Sequence, residues 1–150
     1  MNVISLWQPW ATWIAAGLKT IETRRHNRLA GLVGQRIGIH AAVTYDEGAW
    51  TVAGRYIGAR ERRIASSLEY PRGAVVCTGY CCGARLLGSR SYDSYGALCD
   101  CDGRELYGLF LADVEPVLPP LPARGHRGIW RISDDLILLR TGLCVEKPPH

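Results

Sequence analysis

Four prolines fall within the seven residues from Pro116 to Pro122, and a backbone missing those N–H donors can form neither a helix nor the interior of a sheet. Similar punctuation recurs upstream, where Gly31 to Gly34 and Pro71-Arg72-Gly73 read as turns. The chain is thereby cut into short segments, none approaching the ~20 apolar residues that span a bilayer. Brief strand-like runs survive between the breaks: Val3-Ile4-Ser5-Leu6, Lys19 to Arg24, Arg36 to Ala41, Ala74 to Tyr80, Leu106 to Val114 and Gly128 to Ile132. Gln8-Pro9 opens a helix over about residues 9–17. Pro9 takes the position where its missing N–H costs nothing, Trp10, Trp13, Ile14 and Leu18 recur at helical spacing, and Gly17 supplies the stop. A second helix is expected from Asp46 to Ser67, with Trp50, Ala53, Ile57 and Ile64 inward and Arg55, Arg60, Arg62 and Arg63 outward; Gly54 and Gly58 weaken its continuity. Residues 88–106 are polar and rich in Gly, Ser and Asp, which predicts a loop or insertion. Ser133 caps a short helix through Leu139. The pattern argues for one mixed α+β domain over residues 1–140, built on a small barrel of about five to six strands flanked by two to three helices, with a loose tail over 141–150.

At 150 residues the chain buries enough surface to fold without metal or disulfide staples. Met1 to Trp13 lacks the basic start, long apolar run and small-residue cleavage site of a secretory leader, so a cytoplasmic protein with no membrane partner is expected. The six cysteines should then be mostly free thiols. Cys81, Cys82, Cys99 and Cys101 supply four thiolates that would suit tetrahedral zinc. The adjacent pair, however, splays apart on a strand and does not match a ribbon knuckle, so no metal and no cofactor is expected. Net charge is +4, and sixteen of the eighteen basic residues are Arg. Residues 1–72 carry the excess, which suits a basic face that grips phosphate with planar donor forks.

Ile4-Ser5-Leu6-Trp7-Gln8-Pro9-Trp10-Ala11, followed by Gly17-Leu18-Lys19-Thr20-Ile21-Glu22-Thr23-Arg24, closely resembles the ASCH domain signature. Ile37-Gly38-Ile39-His40-Ala41, Gly73-Ala74-Val75-Val76, Tyr107-Gly108 through Pro116, and Gly125-His126-Arg127-Gly128-Ile129-Trp130 fit the same family in the same order. The resemblance implies a PUA-like β-barrel, a cleft beside the first helix and second strand, and an RNA-related role. Relatives include transcription-coactivator domains, a ribonuclease and acetylcytidine amidohydrolases. The amidohydrolases use a Lys, a Thr three positions on and a distant Glu. Lys19 matches that Lys, but Glu22 stands where the Thr would be, and Glu105 is only the best remaining counterpart for the Glu.

The residues themselves allow a site at the same place. Lys19, just past the helix-ending glycine, can aim its ammonium into a cleft or act as a proton shuttle if desolvated. Glu22 and Arg24 share one strand face with Thr20, because side chains at i and i+2 point the same way, and Thr23 faces away. Lys19 has the opposite parity and joins them only if the chain turns between. Trp7 and Gln8 sit at the helix start, where an anion is favoured and an exposed indole can stack a base. Trp10 and Trp13 are at core spacing. His40 suits either a hydrogen-bonded core or a pocket contact, and Arg127 with Trp130 would supply another wall. The leading expectation is an RNA- or modified-nucleotide-binding domain, with Lys19, Arg24 and Arg25 on phosphate, Trp7 stacking, and Gln8 and Glu22 hydrogen-bonding base or sugar. The alternatives are a metal-independent ribonuclease, an amidohydrolase acting on a modified nucleoside such as acetylcytidine through Lys19 and Glu22, and a protein-interaction module.

Overall fold

Strand β1 (Asn2–Gln8) alternates its side chains between two layers of core. Ile4 and Leu6 pack with Ile14 beneath helix α1 (Trp10–Ala15), whereas Val3 points the other way, into a cluster with Val75, Val117, Leu121 and Ile137. Residues 1–88 and 91–141 are described by the computed structural model, with Ser91 lacking a described side chain. Cys144, Lys147 and all but the first residue of the expected tail lie outside them. After α1 come β2 (Ile21–Arg24), a 3-10 turn (Arg28–Leu32), β3 (Arg36–Tyr45), α2 (Ala49–Ala53), α3 (Ala59–Ser67) and β4 (Ala74–Leu86). Helix α4 (Ser91–Ala97), β5 (Tyr107–Pro122), β6 (Ile129–Arg131) and α5 (Asp134–Thr141) complete the described residues.

The six strands form one mixed sheet in the order β2-β5-β4-β3-β1-β6, with β1 and β3 parallel and the other pairs antiparallel. The α+β class and strand number agree with the sequence. The closed barrel does not. β2 and β6 are only four and three residues long, and each spends its ladder on a single neighbour, so the two ends of the sheet stay unjoined.

Three further departures have local causes. The expected long helix over 46–67 is split into α2 and α3 at the Gly54–Gly58 stretch, and the break rotates α3 so that Ala65 is buried and Ile64 exposed. The predicted loop over 88–106 contains α4, which raises the helix count among the described residues to five. The proline run is strand after all, but only in the positions such residues tolerate. β2 pairs with β5 only as far as Phe110, so beyond it β5 has one neighbour. Opposite β4, its register jumps from Pro116 to Leu121, which leaves Pro119 and Pro120 in a bulge. The freed carbonyls of Pro119 and Pro120 accept hydrogen bonds from Arg140 of α5 at 3.2 and 3.0 Å. No described helix is long and apolar enough to cross a membrane.

Candidate functional site

The end of α1 determines where Lys19 points. Gly17 takes a positive φ of 76°, a conformation that a side chain would disfavour, and the backbone N–H groups of Leu18 and Lys19 both donate to Trp13 O. That turn resolves the parity problem, because β2 begins only at Ile21 and Lys19 reaches back across it. Lys19 is 3% exposed, and its Nζ donates to Ile21 O at 2.6 Å and Ala97 O at 2.8 Å. It lies 3.9 Å from Glu22 Oε2 and 5.3 Å from the centre of the Trp10 ring. Burial pushes its ammonium below the ordinary lysine range, against the opposing pull of the Glu22 carboxylate.

Glu22, also buried, places its other oxygen 3.1 Å from Arg24 Nε, and Arg24 Nη2 donates to Ser5 O at 3.3 Å. The result is a line of cation, anion and cation along one wall. A cavity of about 320 Å³ opens on it, lined by Lys19, Glu22, Arg24, Trp7 and Trp10 and closed by Ala97 at the end of α4 and Cys99 just beyond it. A larger cavity of about 810 Å³ adjoins it and shares Ser5, Trp7 and Arg24. His40, Arg124, His126 and Arg127 line this second space.

The structure thus brings together Trp7, Lys19, Glu22 and Arg24 from the residues expected at a site. His40 and Arg127 lie on the adjoining cavity. His40 Nε2 hydrogen-bonds Ala123 O at 2.9 Å, while its Nδ1 is buried with no partner, and burial lowers its pKa. Trp130 stands behind the wall, donating from Nε1 to Ser5 Oγ at 3.0 Å and packing edge-on to His40.

Other candidates are elsewhere. Gln8 is fully buried. Its amide donates to Thr12 Oγ1 and Pro71 O and accepts from the Thr12 N–H, so the orphan donor at the helix start is met by the protein itself. Glu105 and Arg25 are exposed together on another surface beside Arg104, because Arg25 lies past the end of β2. Neither reaches Lys19's cavity. Thr20 is exposed ahead of β2, and Thr23 lines the cavity instead. Among the described residues no group of three or more His, Cys, Asp or Glu side chains could hold a metal. Cys81 and Cys82 face opposite sides of β4, and Cys81 and Cys101 belong to different apolar clusters.

Trp10, Ser5 and the α4 wall were missing from the sequence reading. Trp10 has core spacing, yet it also donates from Nε1 to Asp46 at 2.9 Å and turns its ring toward Lys19. The α4 wall is set by tertiary contacts. Asp93, fully buried, receives two hydrogen bonds from Arg85 at 3.0 and 2.7 Å, and Ser94 Oγ accepts from the Cys101 N–H.

No curated protein matches the chain. Among solved structures it is similar to the ASCH protein of Zymomonas mobilis, in crystal structures of the unsubstituted protein and of two point variants. A serine-to-alanine variant aligns with a TM-score of 0.55 and 19% identity, covering 90% of this chain and 89% of that one. The unsubstituted protein gives 0.52 at 19% with the same coverage, and a tyrosine-to-phenylalanine variant 0.55 at 18%, covering 95% and 96%. Such identities carry fold alone. The family comparison reaches further, since the ASCH domain matches residues 4–115, most of the sheet and every residue of the Lys19 wall. The chain belongs to the ASCH domain family.

Proposed function

We propose that this domain binds RNA or a modified nucleotide in the cleft between α1 and β2, taking one base and its sugar into the cavity of Lys19, Glu22 and Arg24. The observation that carries the reading is a buried ammonium and a buried carboxylate converging on an open void. Buried ion pairs are weak sources of stability, and apolar replacements of similar volume are often as good. Lys19 also ties down the wall at Ala97, but a ligand accounts for why the pair is turned toward an open void. Glu22 offers an acceptor for amino or hydroxyl groups, Arg24 a donor fork, and Trp7 and Trp10 flat apolar faces for a base. A volume of about 320 Å³ lies at the lower end of small-ligand sites, which suits a single nucleoside unit.

The test is calorimetric titration with a panel of plain and modified nucleosides and mononucleotides. Lys19→Met and Glu22→Gln should each weaken binding by tenfold or more while circular dichroism stays unchanged, since each removes a charge-assisted contact of about 1.5–3 kcal/mol. Wild-type protein that binds no member of the panel would overturn the reading.

A second reading rests on the same amine. Its pKa is lowered by burial and it sits 3.9 Å from a carboxylate, an arrangement that can accept and return a proton. It supports hydrolysis of RNA or of an acetylated cytidine. Chromatography of the titrated mixtures decides between them: turnover abolished by Lys19→Met supports the enzyme, and tight binding without product supports the binding module.

A further inference from the structure

Away from the Lys19 cavity, α3, α4 and the turn after α1 frame a groove of about 580 Å³. Leu18, Ile57, Ile64 and Leu98 line it with Tyr56 and Tyr95, whose rings meet edge-on at 5.5 Å. Leu98 is buried and packs in one cluster with Trp13 and Ala65, so the floor belongs to the core. The rim does not. Ile64 is 38% exposed and Tyr95 56% exposed, although both are large and apolar. The break at Gly54–Gly58 turns Ile64 outward, and it brings this side chain to the same concave place as Tyr95. Exposed apolar groups gathered in a groove and rimmed by charge mark an interaction surface, as single scattered ones do not.

The charge around the groove selects what it can accept. α3 carries Arg60, Arg62 and Arg63 against a single acid, Glu61. Arg60, Arg63 and Ile64 stand on one stripe of the helix, because residues three and four apart are neighbours, so the apolar rim is flanked by cations. The two nearby acids are turned to the backbone. Glu61 Oε2 lies 2.8 Å from where a Cβ on Gly58 would stand, folded back over the start of its own helix. Asp100, which faces Tyr56, accepts a hydrogen bond from the Asp102 N–H at 3.0 Å. An aliphatic floor offers nothing to a phosphate or to the polar edge of a base. It does accept an apolar peptide side chain, and the arginine rim favours acidic neighbours on either side of it.

We infer that the groove between α3 and α4 docks a short acidic segment of a partner protein, which inserts one apolar side chain between Ile64 and Tyr95 and lays its carboxylates along Arg60 and Arg63. No residue lines both this groove and the Lys19 cavity, so the docking surface stands apart from the proposed nucleotide site.

Fluorescence anisotropy of short labelled peptides tests it, each with one central leucine, methionine, phenylalanine or tryptophan among aspartates. Matching peptides carry serine at the centre, or asparagine in place of every aspartate. The best member should bind at about 100 μM or tighter and lose about tenfold on either exchange. Ile64→Glu and, separately, Tyr95→Ser should each weaken it by about tenfold with unchanged melting curves, since both side chains already meet water. Arg60→Gln combined with Arg63→Gln should weaken it by about fivefold and make the salt dependence shallower. Leu139→Ser removes a leucine that is 84% exposed on α5 and should change nothing. The inference is overturned if no member reaches about 100 μM, if Leu139→Ser costs as much as Ile64→Glu, or if an asparagine peptide binds as well as its parent. Single-stranded RNA that displaces the peptide, and itself loses affinity with Ile64→Glu, would assign the face to nucleic acid and overturn it as well. Each of these results leaves the proposed function at Lys19 as it was.

Discussion

Gly125→Ala isolates the packing that forms the floor of the larger cavity. A Cβ built on Gly125 would sit 2.4 Å from His40 Cε1, 2.7 Å from His40 Nδ1 and 2.9 Å from Ser5 Oγ. Real carbon atoms do not approach so closely, so something must move. His40 has little freedom to do so: it is 1% exposed, tied to Ala123 O and flanked edge-on by Trp130. The backbone at Gly125 is not in the left-handed region, so the penalty is steric and not conformational. Overpacking of a tight site costs about 1–3 kcal/mol, and in a domain of this size each kcal/mol lowers the melting temperature by roughly 2–4 °C. Gly125→Ala should therefore melt about 2–12 °C below wild type by calorimetry. Gly31→Ala serves as the control. Nothing lies within 4 Å of its Cβ and its φ is ordinary, so it should be neutral or stabilising by about 0.4–1 kcal/mol. In a His40→Ala background the obstructing ring is gone, and the Gly125→Ala penalty should shrink by more than half. An unchanged penalty in that background, or a melting shift under about 1 °C in the single variant, would refute the account of a loop pressed onto His40.

Two more outcomes follow from buried titratable groups. Burial depresses the His40 pKa below its ordinary value of 6.5, so as pH falls past 6.5 the unfolded chain takes up a proton that the folded chain resists. Stability is full above that pH and is lost as pH drops toward the folded value. Urea midpoints between pH 7.5 and 5 should fall more steeply for wild type than for His40→Gln, and parallel curves would exclude His40 as the source. At the α4 wall, Arg85→Met removes both hydrogen bonds that the fully buried Asp93 carboxylate receives from the guanidinium and should cost about 3 kcal/mol. Asp93→Asn leaves an arginine that is 39% exposed and can turn to water, so it should cost less. Chemical denaturation showing the reverse order would mean that the pair is not what holds α4.

What could be read from the sequence follows the range over which each feature is determined. The strand starts were legible because alternation and turn residues are local, and Glu22 with Arg24 was legible because parity along one strand already puts them together. The isolated Lys19 stood out against sixteen arginines, although only the turn at Gly17 explains how it joins them. Gln8 was misassigned for an instructive reason. A helix start presents the same free N–H groups to a bound anion and to the protein's own side chain, and Gln8 supplies the second. α4 was hidden because Ser91 to Ala97 has few strong helix formers. Its turn is held from outside, by Arg85 on β4 and by the Lys19 ammonium donating to Ala97 O.

That last contact links the readable part of the site to the unreadable part. The same amine that lines the cavity also holds the far wall in place, so its burial serves the fold as well as the proposed site. Loss of Lys19 therefore frees the Ala97 carbonyl as well as removing a charge. The two effects part on one comparison. Lys19→Arg keeps a cation of similar reach but replaces a compact ammonium by a planar fork that the two carbonyls, 2.6 and 2.8 Å from Nζ, are not spaced to receive. If wall geometry governs the site, the Arg variant should bind ligand as poorly as Lys19→Met. If charge alone governs it, the Arg variant should bind like wild type.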